Sequence, residues 1–408
     1  MSHFVIVGAG ECGARAAWAL REKGFDGAIT LIGEETLPPY ERPPLSKAAI
    51  GEALEPKFVA ERNRYAEEHI DLMTGVSVDA LDVATKQLSL SDGSVLAYDK
   101  LLLATGARAR AFPGVPRDSR SIRMLRTHAD ATALRAAMLP GKHIAIIGGG
   151  FIGLELAATA RMLGAHVTVV EGLERVLKRG VPLDIADAVT ARHRLEGVDV
   201  RCGVTIASLT DDAGKATVRL TDGDVLAVDL ALVGIGAMPN TELAERAGLR
   251  IENGIAVDER LRTSAPDVYA AGDCCSFPLH LYGGRRVRLE SWRNAQEQGS
   301  LAATNMLGGD QTISAVPWFW SDQYDMSLQI AGLSDGAVHH LRRDLGNNAF
   351  ILFHLDADGR LLAASGIGPG NAVARDIRLA EMLIASGAHP DPDALVSPGV
   401  KLKSLLAA

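Results

Sequence analysis

The chain has 408 residues, enough for two or three domains at roughly 150 residues each. Apolar residues make up 47% and charged residues 23%, the balance of a globular protein, and no apolar run reaches the ~18 residues of a membrane span. A net charge of −8 argues against non-specific nucleic-acid binding and leaves only a local basic patch as a route to it. In chain order, residues 4–7 read as a strand, 14–23 as a helix and 28–32 as a second strand. Between the first two lies a loop carrying Gly8, Gly10, Cys12 and Gly13. Gly8 suits a tight turn, Gly10 the close approach of a pyrophosphate, and Gly13 helix–strand packing. The helix N-terminus behind such a loop offers unpaired N–H groups and partial positive charge to phosphates. Glu34 or Glu35, after the second strand, is placed to accept from ribose hydroxyls. A loop starting at Gly8 leaves no room for a leader, so the cytoplasm is the expected location.

Residues 98–106 form an apolar strand ending in Thr105-Gly106, and Pro113-Gly114-Val115-Pro116 reads as a linker. A second glycine loop follows the strand that begins at Ile144, with Gly148, Gly150, Ile152 and Gly153. A helix over 157–163 and a strand over 166–170 complete a second βαβ unit. Glu171 stands directly after that strand, where a carboxylate accepts from a 2′-hydroxyl and repels a 2′-phosphate, favouring NADH over NADPH. Arg175 lies near enough to soften that preference or to be a plain surface charge. Further strands end at Gly236 and at Gly272-Asp273. From about residue 316 the texture changes to aromatic and alternating stretches, which predicts a smaller α+β domain with an antiparallel sheet. The cysteines Cys12, Cys202, Cys274 and Cys275 lack metal-site or Cys-x-x-Cys spacing and read as small buried side chains. The fold class is therefore α/β, with two Rossmann-like dinucleotide-binding domains and a C-terminal α+β domain. Two dinucleotides on one chain point to electron transfer between a nicotinamide and a flavin.

Tyr40-Glu41-Arg42-Pro43-Pro44-Leu45-Ser46-Lys47 resembles the flavin-side signature of FAD-dependent NADH:ferredoxin reductases of oxygenase systems, within the glutathione-reductase-like superfamily. The resemblance continues through Leu102-Leu103-Ala104-Thr105-Gly106, Leu125-Arg126-Thr127, Gly150-Phe151-Ile152-Gly153-Leu154-Glu155, Ala271-Gly272-Asp273-Cys274, Glu290-Ser291-Trp292-Arg293 and Pro317-Trp318-Phe319-Trp320-Ser321-Asp322-Gln323. It implies an FAD domain over 1–108 and 237–316, an NAD domain over 109–236, and a C-terminal domain over 317–408. Lys47 would stand by flavin N5, where a cation stabilises negative charge, and Glu155 would pair with it and meet the nicotinamide carboxamide. By local sequence alone, Lys47 reads as a solvent lysine and Glu155 as a helix-surface acid.

The resemblance further implies that Asp273 accepts from the ribityl chain, a position that would also suit a helix-capping acid. Arg126 would contact the adenine or phosphate side of FAD, Val78 the adenine by its backbone, and Trp292 the pyrimidine edge by its N–H. Arg42 and Pro44 would line the flavin pocket, and Trp318 and Trp320 are either core aromatics or flank the ring. Disulfide reductases carry a redox cysteine pair near the position of Pro43-Pro44-Leu45-Ser46-Lys47, and here there is none. The implied activity passes a hydride from NADH to FAD and single electrons onward to a [2Fe–2S] ferredoxin serving a cytochrome P450 or a Rieske dioxygenase. A basic stretch, Arg285, Arg286, Arg288 and Arg293, could steer that acidic partner. The alternatives are an NADH-linked rubredoxin or nitrite-reductase-type reductase, and a redox-dependent binding protein of the apoptosis-inducing-factor type.

Overall fold

The computed structural model describes residues 2–47, 55–116, 118–212 and 214–406. They fall into two compact units, one of Met1–Glu41, Pro56–Arg108 and Met238–Pro317, the other of Arg42–Glu55, Ala109–Ala237 and Trp318–Ala408.

The first unit is built on a parallel five-stranded sheet in the order Val268–Ala270, Lys100–Leu103, His3–Val7, Ala28–Gly33, Ile70–Thr74. Its central strands are almost continuously apolar and buried, as expected for a parallel sheet covered on both faces. The helix after the first loop spans Glu11–Glu22. It starts three residues before the expected position because Gly10 is itself the N-cap. This helix packs on Trp292–Met306 through small residues. A Cβ on Gly299 would stand 2.5 Å from the Cys12 carbonyl oxygen, so only glycine permits this helix spacing. A three-stranded antiparallel sheet, Val78–Asp82, Gln87–Leu90 and Val95–Ala97, fills the chain between the fifth and second strands of the parallel sheet.

The second unit repeats this plan. Its parallel sheet runs Asp199–Cys202, His166–Glu171, His143–Ile147, Leu230–Val233, Ile122–Arg123, and an antiparallel insert of Ile206–Asp212, Lys215–Leu220 and Val225–Val228 covers it. The registers match between units: Gly8 N–H donates to the Ile32 carbonyl at 2.8 Å, and Gly148 N–H to the Val170 carbonyl at 2.8 Å. The second unit also holds the predicted antiparallel sheet, in the order Trp318–Gln323, Met326–Gly332, Leu361–Pro369, Ala349–Leu355, His339–Gly346. Helix Ala374–Ala385 packs on it through Ile377, Ala380, Leu383 and Ile384. No helix among the described residues is long and apolar enough to cross a membrane.

His354, fully buried in this sheet, faces His340 at 2.9 Å between Nδ1 atoms and Ser365 at 3.2 Å. Burial, helped by the nearby His340, lowers its pKa from 6.5 to about 4. Between those values the unfolded chain binds the proton that the folded chain refuses, so stability falls as pH drops through that window. Urea melts at pH 7.5 and pH 5 should show the loss, on the order of 2 kcal/mol. His354→Gln should flatten the slope, and an unchanged slope would remove His354 as its source.

Candidate functional site

The two glycine loops have the same construction. Gly8 has φ +115°, and a Cβ there would stand 2.1 Å from the Ala104 carbonyl oxygen; Gly148 has φ +107° and a Cβ would stand 2.4 Å from that of Gly234. A Cβ on Gly13 would meet the Gly8 carbonyl oxygen at 1.9 Å, and one on Gly153 the Gly148 oxygen at 2.2 Å. These four glycines are required by the fold itself. Gly10 and Gly150 are different: a Cβ on either would have nothing within 4 Å. Each is the N-cap of its helix with no side-chain cap, so no capping side chain takes up the first-turn amides. A cradle kept clear of side chains at a helix N-terminus fits a pyrophosphate in each unit.

At the second loop, Glu171 accepts from Gly149 N–H at 2.7 Å and from Leu173 N–H at 2.8 Å. It therefore closes the loop it was expected to serve, with room for further acceptance by each oxygen. Arg175 is committed elsewhere: its guanidinium donates to the carbonyls of Val176 and Val181 at 3.3 and 2.9 Å. Ile152 is 50% exposed, an apolar side chain presented beside the cradle. Gly236, at φ +109°, has open space at its Cβ, and its carbonyl accepts from Arg110 N–H.

In the first unit, strand register places Gly33, not an acid, where Glu171 stands in the second. A Cβ on Gly33 would meet the Ala9 Cβ at 2.5 Å, so the acid is displaced along the chain. Glu34 is exposed, while Glu35 is half-buried and accepts from the Tyr40 hydroxyl at 2.5 Å. Thr105 and Gly106 are clamped by Asn240: its side-chain amide donates to the Thr105 carbonyl at 2.8 Å, its backbone carbonyl accepts from the Thr105 hydroxyl at 2.7 Å, and its backbone N–H donates to the Gly106 carbonyl at 2.9 Å. Nothing in the sequence marked Asn240. Cys12 is buried against the turn at Gly272, and burial pushes its thiol well above the usual range. Asp273 lies inside the 3₁₀ turn Gly272–Cys274 rather than at a helix cap. Gln298 accepts from Gly272 N–H at 2.8 Å, and its buried Nε2 has no hydrogen-bond partner among the described residues, a donor available to a ligand. Val78 opens its strand just before a bulge. Trp292 is the first residue of its helix, where an N–H points out of the helix end.

The remaining predicted residues gather in the second unit. Pro43–Ser46 is a short 3₁₀ helix with Arg42 at its N-cap and Pro44 inside it. Arg42 Nη1 donates to the Arg126 carbonyl at 2.6 Å, and Arg126 leads into the capping box of Thr127 and Asp130. Lys47 follows the turn. Its Nζ lies 2.8 Å from Glu155 Oε1, 3.5 Å from Asp322 Oδ2, and 5.8 Å from the centre of the Trp320 ring. Glu155 is 6% exposed, the one charged residue in the buried run Gly153–Ala160 of helix Phe151–Met162. Besides Lys47 it accepts from the hydroxyls of Ser46 and, at 2.7 Å, Ser321. The pair that local sequence would leave in solvent is thus a hydrogen-bonded ion pair with a buried acid and a lysine 20% exposed, the pairing under which burial of the carboxylate is tolerable. Ser46, Ser321 and Asp322 complete it, although residue type alone assigned them no role. Trp318 and Trp320 are half-buried, with rings stacked at 5.3 Å, and Trp320 Nε1 donates to Asp322 at 3.0 Å.

Two chemistries are limited by the same geometry. Cys12, Cys202, Cys274 and Cys275 are all free, so no disulfide relay exists among the described residues. The arginine stretch is largely consumed internally: Arg286 donates to the Val257 and Ser276 carbonyls, Arg288 pairs with Glu290, and Arg293 pairs with Glu297.

The pyridine nucleotide–disulphide oxidoreductase family model matches residues 2–299, and the reductase C-terminal model residues 318–406. The chain is 43% identical over 408 residues to the ferredoxin–NAD(+) reductase component of the anthranilate 1,2-dioxygenase system of Burkholderia cepacia, covering 99% of each chain. It is 38% identical over 415 residues to putidaredoxin reductase of Pseudomonas putida, covering 99% of this chain and 96% of that one. The crystal structure of the covalent putidaredoxin reductase–putidaredoxin complex superposes with a TM-score of 0.93 at 36% identity, over 100% of this chain and 98% of that one. Paired phosphate cradles, a Lys–Glu pair on a buried acid and no thiol relay agree with these likenesses, and the chain belongs to the pyridine nucleotide–disulphide oxidoreductase family, in its branch of oxygenase-linked ferredoxin–NAD(+) reductases.

Proposed function

We propose that this protein is an FAD-dependent NADH:ferredoxin oxidoreductase working in the cytoplasm. The duplicated glycine cradle, open in both units only at Gly10 and Gly150, is the observation that carries the reading. FAD, when bound, accepts the hydride of NADH and passes two electrons singly to a [2Fe–2S] ferredoxin, which serves a cytochrome P450 or a Rieske dioxygenase. Gly8, Gly10, Cys12 and Gly13 shape the FAD pyrophosphate cradle, with Glu34 or Glu35 accepting from the ribose. Arg42, Pro44, Val78, Thr105, Gly106, Arg126, Asp273 and Trp292 are the further FAD contacts. Gly148, Gly150, Ile152, Gly153, Glu171 and Gly236 hold NADH. Lys47 supplies positive charge beside the flavin ring, and Glu155 orients the nicotinamide carboxamide while keeping Lys47 paired. Residues 1–108 and 237–316 form the FAD domain, 109–236 the NAD domain and 317–408 the C-terminal domain.

NADH-driven cytochrome c reduction with and without a [2Fe–2S] ferredoxin tests this. Strong dependence on ferredoxin is expected, and a rate indifferent to it would sink the proposal. Coenzyme choice tests Glu171: Glu171→Arg should shift the NADPH/NADH ratio of kcat/KM upward by roughly tenfold or more, equivalent to ~1.4 kcal/mol. A ratio that stays put would show that Glu171 only closes the loop on Gly149.

A further inference from the structure

Glu155 is the end of a buried hydrogen-bonded chain that runs away from Lys47. Ser321 and Gln323 share one face of strand Trp318–Gln323, two residues apart. Gln323 Nε2 lies 3.1 Å from Ser321 Oγ, and Gln323 Oε1 lies 2.8 Å from His193 Nε2. His193 Nδ1 in turn faces the Tyr324 hydroxyl at 3.2 Å. Ser321, Gln323 and His193 are 1%, 3% and 0% exposed. Tyr324 sits in the hairpin turn at φ +56°, an uncommon conformation for an aromatic residue.

The direction of every bond follows from one charge. The Glu155 carboxylate has only acceptor capacity, so Ser321 must donate its single hydroxyl proton to it. Ser321 Oγ then accepts, so Gln323 must present its NH₂ group there and its carbonyl to His193. His193 must carry its proton on Nε2, and Tyr324 must donate to the bare Nδ1. Charged groups surround the far end: Arg192 and Glu196 on the same helix, Asp325 in the turn, and Arg161 near Tyr324. Burial lowers the pKa of His193, in keeping with a neutral ring.

We infer that His193 and Gln323 are positioning residues for hydride transfer, holding Glu155 in orientation through a single-direction chain of donors that locks His193 in its Nε2–H form. The inference rests on Glu155 acting at the nicotinamide. A carboxylate held by Lys47, Ser46 and Ser321 together is restrained from swinging, keeps one acceptor site open for the carboxamide, and is backed by a polar network whose satisfied bonds make it rigid.

The test uses the FAD-loaded protein labelled with ¹⁵N-histidine, with the His193 signals identified by their loss in His193→Phe. Long-range ¹H–¹⁵N spectra should show the Nε2–H tautomer; an Nδ1–H pattern would overturn the chain. Stopped-flow flavin reduction by NADH should slow about fivefold in His193→Phe, the loss of one neutral hydrogen bond. His193→Gln, which keeps a donor at the same place, should recover most of the rate. A wild-type rate in the Phe variant, or no recovery with Gln in a folded protein, would also overturn it. Glu155→Gln is measured alongside: a wild-type rate there would overturn the assignment of Glu155 itself, while the tautomer still decides the direction of the chain.

Discussion

Lys47→Ala is expected to slow the reduction of bound flavin by NADH by about 100-fold, the scale of losing one preorganised charged donor at a reacting centre. The ammonium is held by Glu155 at 2.8 Å and Asp322 at 3.5 Å, with the Trp320 ring on another side. Three constraints fix its position before any ligand arrives, so little reorganisation accompanies reaction. The fold should survive, because Glu155 keeps the Ser46 and Ser321 hydroxyls as donors. Stopped-flow absorbance with a parallel thermal melt separates the effects. An unchanged rate in a folded variant would leave Lys47 as nothing more than the counter-ion of Glu155.

Gly150→Ala and Gly153→Ala should behave oppositely, although they lie three residues apart in one loop. Position 150 has φ −81° and no heavy atom within 4 Å of a built Cβ. Alanine there should cost no more than ~1 kcal/mol of stability, the difference between the two residues at an N-cap. It should raise KM for NADH by roughly tenfold, ~1.4 kcal/mol, because the methyl group enters the space left for the pyrophosphate. At position 153 the methyl carbon would lie 2.2 Å from the Gly148 carbonyl oxygen. That overlap must move backbone, and a loss of about 3 kcal/mol is expected. Thermal melts and NADH kinetics on both variants check the pair. A stable Gly153→Ala, or a Gly150→Ala with wild-type KM, would show that the glycines are not divided between fold and ligand in this way.

The arginine stretch bears on partner recognition. Arg286 and Arg288 are committed to backbone carbonyls and to Glu290. Neutralising Arg288 should therefore reduce stability more than it changes the salt dependence of ferredoxin reduction, since a half-buried charge already paired with an acid contributes little to long-range steering. A steeper loss in ferredoxin kinetics than in Tm would restore the stretch as a docking surface.

The two glycine loops, their flanking strands and Glu171 were legible in the sequence because each is local: a turn needs its glycine and a strand its apolar run within ten residues. The helices begin at Glu11 and Phe151, three and six residues before the starts read from the sequence, because an N-cap glycine carries no side-chain signal. Glu155 was detectable in principle as a lone acid in an apolar helix run, but its partners were not. Ser46 and Ser321 reach Glu155 across 109 and 166 positions of chain, Asp322 reaches Lys47 across 275, and Gln323 and His193 meet across 130. Hydroxyls and amides at such separations have no periodicity or spacing to betray them. Only the folded chain decides which of them face a buried charge, because the cost of leaving that charge unsatisfied is set by its surroundings and not by its neighbours in sequence.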